Sequence, residues 1–265
     1  MIVGLYTDEG CMSITVDRLI VDLHQLGLPA GSTVMMHTAF KAIGTRDPEL
    51  LVQALIGAVG PHGTMLTPAL SYLQEPHFIH DTRRTPVGVG FFPEYVRTRA
   101  GTLRSLHPTR SVCAIGPRSA ELLGNHGEDN TPCGPCSPFR KNLQDGWILM
   151  LGCGLRPNTS MHAIEELAPP PYLFGEWGEY TITDAQGQET IKRYRMHGFV
   201  GFEQRYDRIA DRLSPADRHQ GLVGQAEAFL INAAALRRVA EATLRQQPFA
   251  FVDPTADPPE SVGSQ

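Results

Sequence analysis

Trp147-Ile148-Leu149-Met150-Leu151-Gly152-Cys153-Gly154 is followed closely by Asn158-Thr159-Ser160-Met161-His162-Ala163-Ile164-Glu165-Glu166. Five consecutive apolar residues bounded by turn signals suit a buried strand. The glycines turn the chain, and Asn, Thr and Ser are the side chains that cap a helix start. Strand, glycine loop and helix in that order make part of an α/β unit, and sites in such sheets lie at the strand ends.

Upstream the alternation repeats. From Thr15 the period is helical, with Leu19, Ile20, Leu23 and Leu26 on one face, Asp17 in the first turn and Gly27 as the stop. Thr33-Val34-Met35-Met36 predicts a strand ending at His37-Thr38, and Pro48 to Val59 a helix with proline in its first turn. Thr64 to Pro68 reads as a strand, Phe91 to Arg99 as a helix, Ser111 to Ile115 as a strand and Arg118 to Leu123 as a helix. Downstream, a helix from about Ser160 to Leu167 is stopped by Pro169-Pro170-Pro171. A β-hairpin is expected between about Tyr180 and Tyr194 around Gly187. Gln225 to Arg245 reads as a long Ala-rich helix with a break near Asn232. The first ten or so residues suggest an arm or short strand. Residues 1–252 are expected to form one domain, and 253–265 a disordered tail. The fold class is α/β, a layered domain with a central sheet.

Composition narrows the function. Of 265 residues, 23 are Lys or Arg and 28 Asp or Glu, a net charge of -5 that excludes a generic nucleic-acid binder. No apolar stretch approaches the roughly 20 residues of a membrane span. Asp8 and Glu9 stand where a signal peptide would be basic. Five cysteines are too few, and an odd number, for a disulfide framework. A soluble cytoplasmic protein is expected, with neither nucleic acid nor membrane as partner.

There is no phosphate-cradling P-loop, no complete dinucleotide fingerprint after Gly152-Cys153-Gly154, and no G-x-S-x-G elbow. His126-Gly127-Glu128 followed by Pro132-Cys133-Gly134-Pro135-Cys136 imitates the zinc-deaminase signature, but seven residues cannot hold the strand that separates its two helices. A zinc-dependent hydrolase or deaminase built on Cys133, Cys136 and histidines is the alternative; no metal is expected. His162 and Glu165 stand at i and i+3 on one helix face. A carboxylate bonded to one ring nitrogen fixes the tautomer and leaves the other nitrogen free to take a proton. The competing reading is a partly buried histidine that caps or packs. His37, His107 and His197 read as structural hydrogen-bonders, and Asp207 as a surface ion-pair member.

In order along the chain come Val34-Met35-Met36-His37-Thr38-Ala39-Phe40-Lys41-Ala42-Ile43-Gly44, Gly63-Thr64-Met65-Leu66-Thr67-Pro68 and Arg104-Ser105-Leu106-His107-Pro108-Thr109-Arg110-Ser111. Gly134-Pro135-Cys136-Ser137-Pro138, the N-T-S-x-H-x-x-E run at Asn158 to Glu165, and Gly221-Leu222-Val223-Gly224-Gln225-Ala226 follow. Together, from about Thr15 to Val252, the chain resembles the aminoglycoside 3-N-acetyltransferase family, which is unrelated to the GNAT fold. The resemblance implies that family's layered α/β/α fold, acetyl-CoA as co-substrate, and acetylation of a primary amine of an aminoglycoside or related amino sugar. It implies His162 as base, Glu165 as its partner and Thr159 near the oxyanion. Donor contacts are implied at His37, Thr38, Ala39, Phe40, Lys41, Ile43, Gly44, Ser105, His107, Pro108 and Ser137. Acceptor contacts are implied at Tyr72, Asp81, Glu94, Glu166 and Asp207.

Two departures stand out. The family usually has two small hydroxyl residues after the strand-end histidine, where this chain has Thr38 and Ala39. The run from Gln74 to Arg84 is rich in His and Arg, whereas a polycation site should present carboxylates. The acceptor is therefore not fixed as a clinical aminoglycoside, and a non-aminoglycoside amine remains an alternative. A non-catalytic CoA-binding or antibiotic-binding protein, and an acyl-enzyme route through Cys153, are further alternatives. The sequence leaves the oligomeric state open, a homodimer included.

Overall fold

Helix α1 (Val16–Gln25) starts where the Thr15 hydroxyl accepts the Arg18 amide at 3.2 Å, and buries Leu19 and Leu23. The chain then enters β1 (Thr33–Thr38), makes a 3-10 turn over Phe40–Ile43, and forms α2 (Pro48–Val59), capped by Asp47 with proline in its first turn. β2 (Thr64–Pro68), β3 (Ile79–Asp81), α3 (Phe91–Thr98), β4 (Leu103–Arg104), β5 (Val112–Ile115) and α4 (Ser119–Leu123) follow. Next come α5 (Pro138–Asp145), β6 (Trp147–Leu151), α6 (Ser160–Glu165) and the hairpin of β7 (Phe174–Thr183) and β8 (Glu189–His197). β9 (Phe202–Gln204), β10 (Arg218–Val223), β11 (Ala226–Asn232), α7 (Ala233–Gln246) and β12 (Val252–Pro254) are the last elements of the described residues. This computed structural model describes residues 14–72 and 78–255. The expected N-terminal arm, residues 74–77 of the His- and Arg-rich run, and the tail beyond Thr255 lie outside them.

The main sheet has the order β10-β11-β6-β1-β2-β5-β4. Its centre is parallel, β1 pairing with both β2 and β6, while β11 and β5 run antiparallel on either side. Alternate strand residues face opposite layers. Val34, Met36, Leu149 and Leu151 pack with α1, α2 and α3. Met35, Ile148 and Met150 pack with Phe139, Leu143, Met161, Leu236 and Phe251 on the other side. Both faces of the central strands are thus buried, which explains their unbroken apolar runs. Each such side chain contributes roughly 1.5–3 kcal/mol. The layered α/β/α fold is the expected one.

Two expectations change. The Ala-rich stretch from Gln225 is a strand before it is a helix: β11 pairs with β6 from Ala228↔Leu151 to Asn232↔Trp147. Pairing on both sides overrides alanine's helical propensity there. Asn232, the expected break, caps α7 by accepting the Ala235 amide at 2.9 Å. At the other end, the tail boundary at Asp253 falls inside β12, which pairs with β9. Asp253 bonds Arg205 at 2.6 Å and accepts from Arg208.

Candidate active site

β6 ends at Leu151, and Gly152 turns the chain at φ +70°. A side chain there would meet the Ala42 methyl at 2.6 Å, so the loop passes the 3-10 turn only as glycine. This close passage brings β1's end, the Gly152 loop and the start of α6 to one edge. Asn158 accepts the Ser160 amide at 3.1 Å and sets the start of α6; Thr159 makes no side-chain cap bond.

His162 and Glu165 meet as their spacing predicts, Nδ1 standing 3.1 Å from Oε2. The Tyr206 hydroxyl donates to the same Oε2 at 2.8 Å and lies 3.0 Å from His162 Nδ1. Tyr172 donates to Oε1 at 3.1 Å. Glu165, fully buried, therefore accepts from three groups. With both tyrosines as donors, the network is satisfied when Nδ1 carries the ring proton, and the Nε2 lone pair is left uncommitted. Burial lowers the His162 pKa, while the bond to Glu165 and its charge pull it up. The imidazole is neutral at pH 7, as a general base must be.

His162 opens on a cavity of about 770 Å³, whose wall includes His37, Thr38, Tyr72, Arg110, Cys153, Thr159, His197 and Tyr206. Phe199, held at φ +51°, packs 5.2 Å from the His162 ring. His197 lies 5.0 Å from that ring and bonds Glu166 at 2.8 Å. Glu166 also accepts from the Thr131 hydroxyl and the Cys133 amide. Burial pushes the Glu166 carboxyl up to about 7 and the His197 imidazole well down. A second histidine–carboxylate pair thus backs the first.

The structure distributes the other expected site residues unevenly. His37, Thr38 and Thr159 line the cavity. His37 is lowered to about 3 by burial and by the repulsion it would meet from a protonated His162. Phe40 stacks on Phe92, Ile43 is core, Gly44 takes φ +90° after the 3-10 turn, and Lys41 is exposed. Ala39 donates its amide to Leu151. Ser105, His107, Pro108 and Ser137 are not among the residues that line the cavity. The Ser105 hydroxyl joins the Val112 amide to His126; His107 takes the Thr109 and Arg110 amides; the Pro108 carbonyl accepts from Ser71; Ser137 caps α5.

On the acceptor side only Tyr72 reaches the cavity wall. Asp81 accepts the Arg83 amide, Glu94 is held by Arg97, and Asp207 pairs with Arg205 as the surface reading expects. Glu166 does not line the cavity but bonds His197, which does. Among the described residues no group of three or more His, Cys, Asp or Glu is placed to hold a metal ion. Cys133 and Cys136 instead sit in a loop whose amides bond Glu166 and Asp129.

Sequence reasoning misses Tyr172, Tyr206, His197 and Arg110. Tyr206 sits in the motif-free run from Gln204 to Arg208, and the meeting of these residues with α6 has no spacing signal. Three of them come from segments that follow α6 in the chain. A histidine preceding Gly198 at the end of a strand is the only available hint.

A buried imidazole kept neutral by desolvation, bonded to a carboxylate and opening on a cavity beside a strand end, is an arrangement suited to taking a proton in a group transfer. The family model described as "Aminoglycoside 3-N-acetyltransferase" matches residues 35–245, and the chain belongs to that acyltransferase family. Aminoglycoside N(3)-acetyltransferase VII of Streptomyces paromomycinus is 35% identical over 180 residues; the match spans 60% of this chain and 62% of that relative. Among solved structures, AAC-IIIb in a binary complex with CoASH superposes with TM-score 0.77 at 27% identity, covering 91% of this chain and 99% of that one. A histidine-to-alanine mutant of AAC(3)-IVa in complex with a gentamicin gives TM-score 0.78 at 26% identity, covering 92% and 94%. Among the described residues no helix is long and apolar enough to cross a membrane.

Proposed function

We propose that this chain transfers an acetyl group from acetyl-CoA directly to a primary amine of an aminoglycoside or related amino sugar, with His162 as general base and Glu165 as its orienting partner. The observation that carries the reading is the His162–Glu165 pair: Nδ1 is bonded to a fully buried carboxylate while the ring opens on the cavity. The relatives' names and the CoASH and gentamicin complexes support the donor and acceptor classes. Within this chain, Thr38 Oγ1 and His37 Nε2 are buried polar atoms without a partner, at the strand end beside the cavity. They suit the polar groups of a pantetheine arm.

The reaction needs a nitrogen lone pair, and amines are mostly protonated near pH 7. As the amine attacks the thioester carbonyl, its proton passes to His162 Nε2, and Glu165 stabilises the imidazolium. Collapse of the tetrahedral adduct breaks the C–S bond, and the proton returns to the thiolate. General-base help of this kind supplies roughly 10²–10⁴ in rate. Thr159 and the loop at Cys153 line the cavity near the base and are the candidate oxyanion donors. Burial raises the Cys153 thiol pKa, which disfavours the covalent route.

The test is His162→Ala. Turnover should vanish while acetyl-CoA binding, measured by calorimetry, stays within a few-fold; wild-type turnover in the variant would remove the base. Initial-rate patterns should be intersecting, whereas parallel double-reciprocal lines would indicate an acyl-enzyme.

A further inference from the structure

Arg110 stands apart from the other arginine of the cavity wall. Arg156 is paired with Glu203 and donates to the Gln204 carbonyl at 3.0 Å. Arg110 has no carboxylate partner among the described residues, and its Nε is buried without a hydrogen bond. Its position is nevertheless fixed. The Arg110 amide donates to His107 Nδ1 at 3.0 Å, and the guanidinium lies 4.6 Å from the Tyr72 ring centre. Stacking occupies the face of the guanidinium and leaves its edge donors free, the edge that forks onto a carboxylate or phosphate. None of the described residues lining this cavity is Asp or Glu. Glu165, behind the base, is already committed to His162, Tyr172 and Tyr206.

We propose that Arg110 determines acceptor specificity: the cavity takes a primary amine whose molecule also carries an acidic oxyanion, and that oxyanion docks on the Arg110 guanidinium. This rests on the transferase reading above and names its acceptor class. A polycation would set an ammonium against Arg110, with no carboxylate among the described lining residues to offset it. An amine with an acidic group supplies the missing partner. Arg110 lines the same cavity as His162, His197 and Tyr206. In acetyl-CoA the pantetheine arm separates the phosphates from the thioester, so a guanidinium beside the reacting carbonyl would not meet them. A cation there also disfavours the ammonium form of the acceptor, in the direction the attack requires.

The experiment measures thiol release from acetyl-CoA by wild type, R110Q and R110K. The acceptors are glucosamine and glucosamine 6-phosphate, an amino acid and its amide, and a polycationic aminoglycoside. In wild type the acidic member of at least one pair should be favoured about tenfold or more in kcat/KM, the size of one charged hydrogen bond. R110Q should erase that preference through acceptor KM, leave KM for acetyl-CoA unchanged, and R110K should keep part of it. Equal rates within both pairs in wild type would overturn the role of Arg110 without any variant. So would a rise in acetyl-CoA KM in R110Q, or an aminoglycoside preferred by wild type and unaffected in R110Q. If no acceptor releases thiol, the transferase reading fails, and calorimetric titration of glucosamine 6-phosphate decides Arg110 separately. Binding lost in R110Q supports the anion site; equal or absent binding overturns it.

Discussion

The hydroxyl of Tyr206 lies 2.8 Å from Oε2 of Glu165, the same oxygen that faces the His162 ring. A carboxylate held by both an imidazole and a phenol cannot rotate away from either. Tyr206→Phe keeps the ring and removes the donor. We expect a stability loss of about 0.5–1.5 kcal/mol, one net hydrogen bond, and a fall in kcat of about tenfold. Steady-state kinetics with a denaturation curve tests it; wild-type kcat in the variant would show that the phenol does not hold the pair.

Glu165→Gln removes the charge that pulls the His162 pKa up, while burial keeps pushing it down. In wild type the acid limb of kcat/KM should therefore fall below pH 6.5, because protonation silences the base. In the variant that limb should move to lower pH, with a rate loss of about 10² or more. An acid limb that stays put or rises would detach the carboxylate from the base.

Several imidazoles are buried and neutral. Burial lowers His37, His80 and His126 to about 3 each from an ordinary value of 6.5. The unfolded chain binds protons at these positions before the folded chain does. Stability is thus full above about pH 6.5 and is lost as pH falls from there towards 3. Each group costs about 1.4 kcal/mol per pH unit within that window. Glu166, raised to about 7, works the other way for a single group. The melting temperature should drop clearly between pH 7 and pH 5; a level or rising value would contradict neutral burial.

Gly152→Ala places a methyl 2.6 Å from the Ala42 side chain on a backbone at φ +70°. The left-handed conformation alone costs about 1–2 kcal/mol for an L residue. Relief of the clash must separate the Gly152 loop from the turn after β1. Thermal unfolding should show at least that loss, and the acetyl-CoA KM should rise. An unchanged melting temperature and KM would mean that the close approach is dispensable.

Much of the fold was legible because it is written locally. Residues 147–151 form an apolar run because both faces of β6 are covered, and Thr15, Pro48 and Gly27 mark helix ends by their own backbone chemistry. The stretch from Ala226 was not legible. Its alanines favour a helix, and only pairing with β6 and β10 makes it a strand. The surroundings of Ser105, His107 and Ser137 were not legible either. Small polar side chains in a turn look alike in sequence whether they face a ligand or, as here, a backbone amide or a neighbouring side chain.

By itself the sequence determined the strand, glycine loop and helix at residues 147–165, and put His162 and Glu165 on one face. A helical turn brings i and i+3 together wherever the helix goes. Only the tertiary structure decided that Tyr172 and Tyr206 close around that carboxylate, that His197 and Glu166 stand behind it, and that Arg110 enters the cavity with no carboxylate to meet it among the described residues. Those meetings join segments remote along the chain, where strand register and layer packing set the distances and no spacing rule operates.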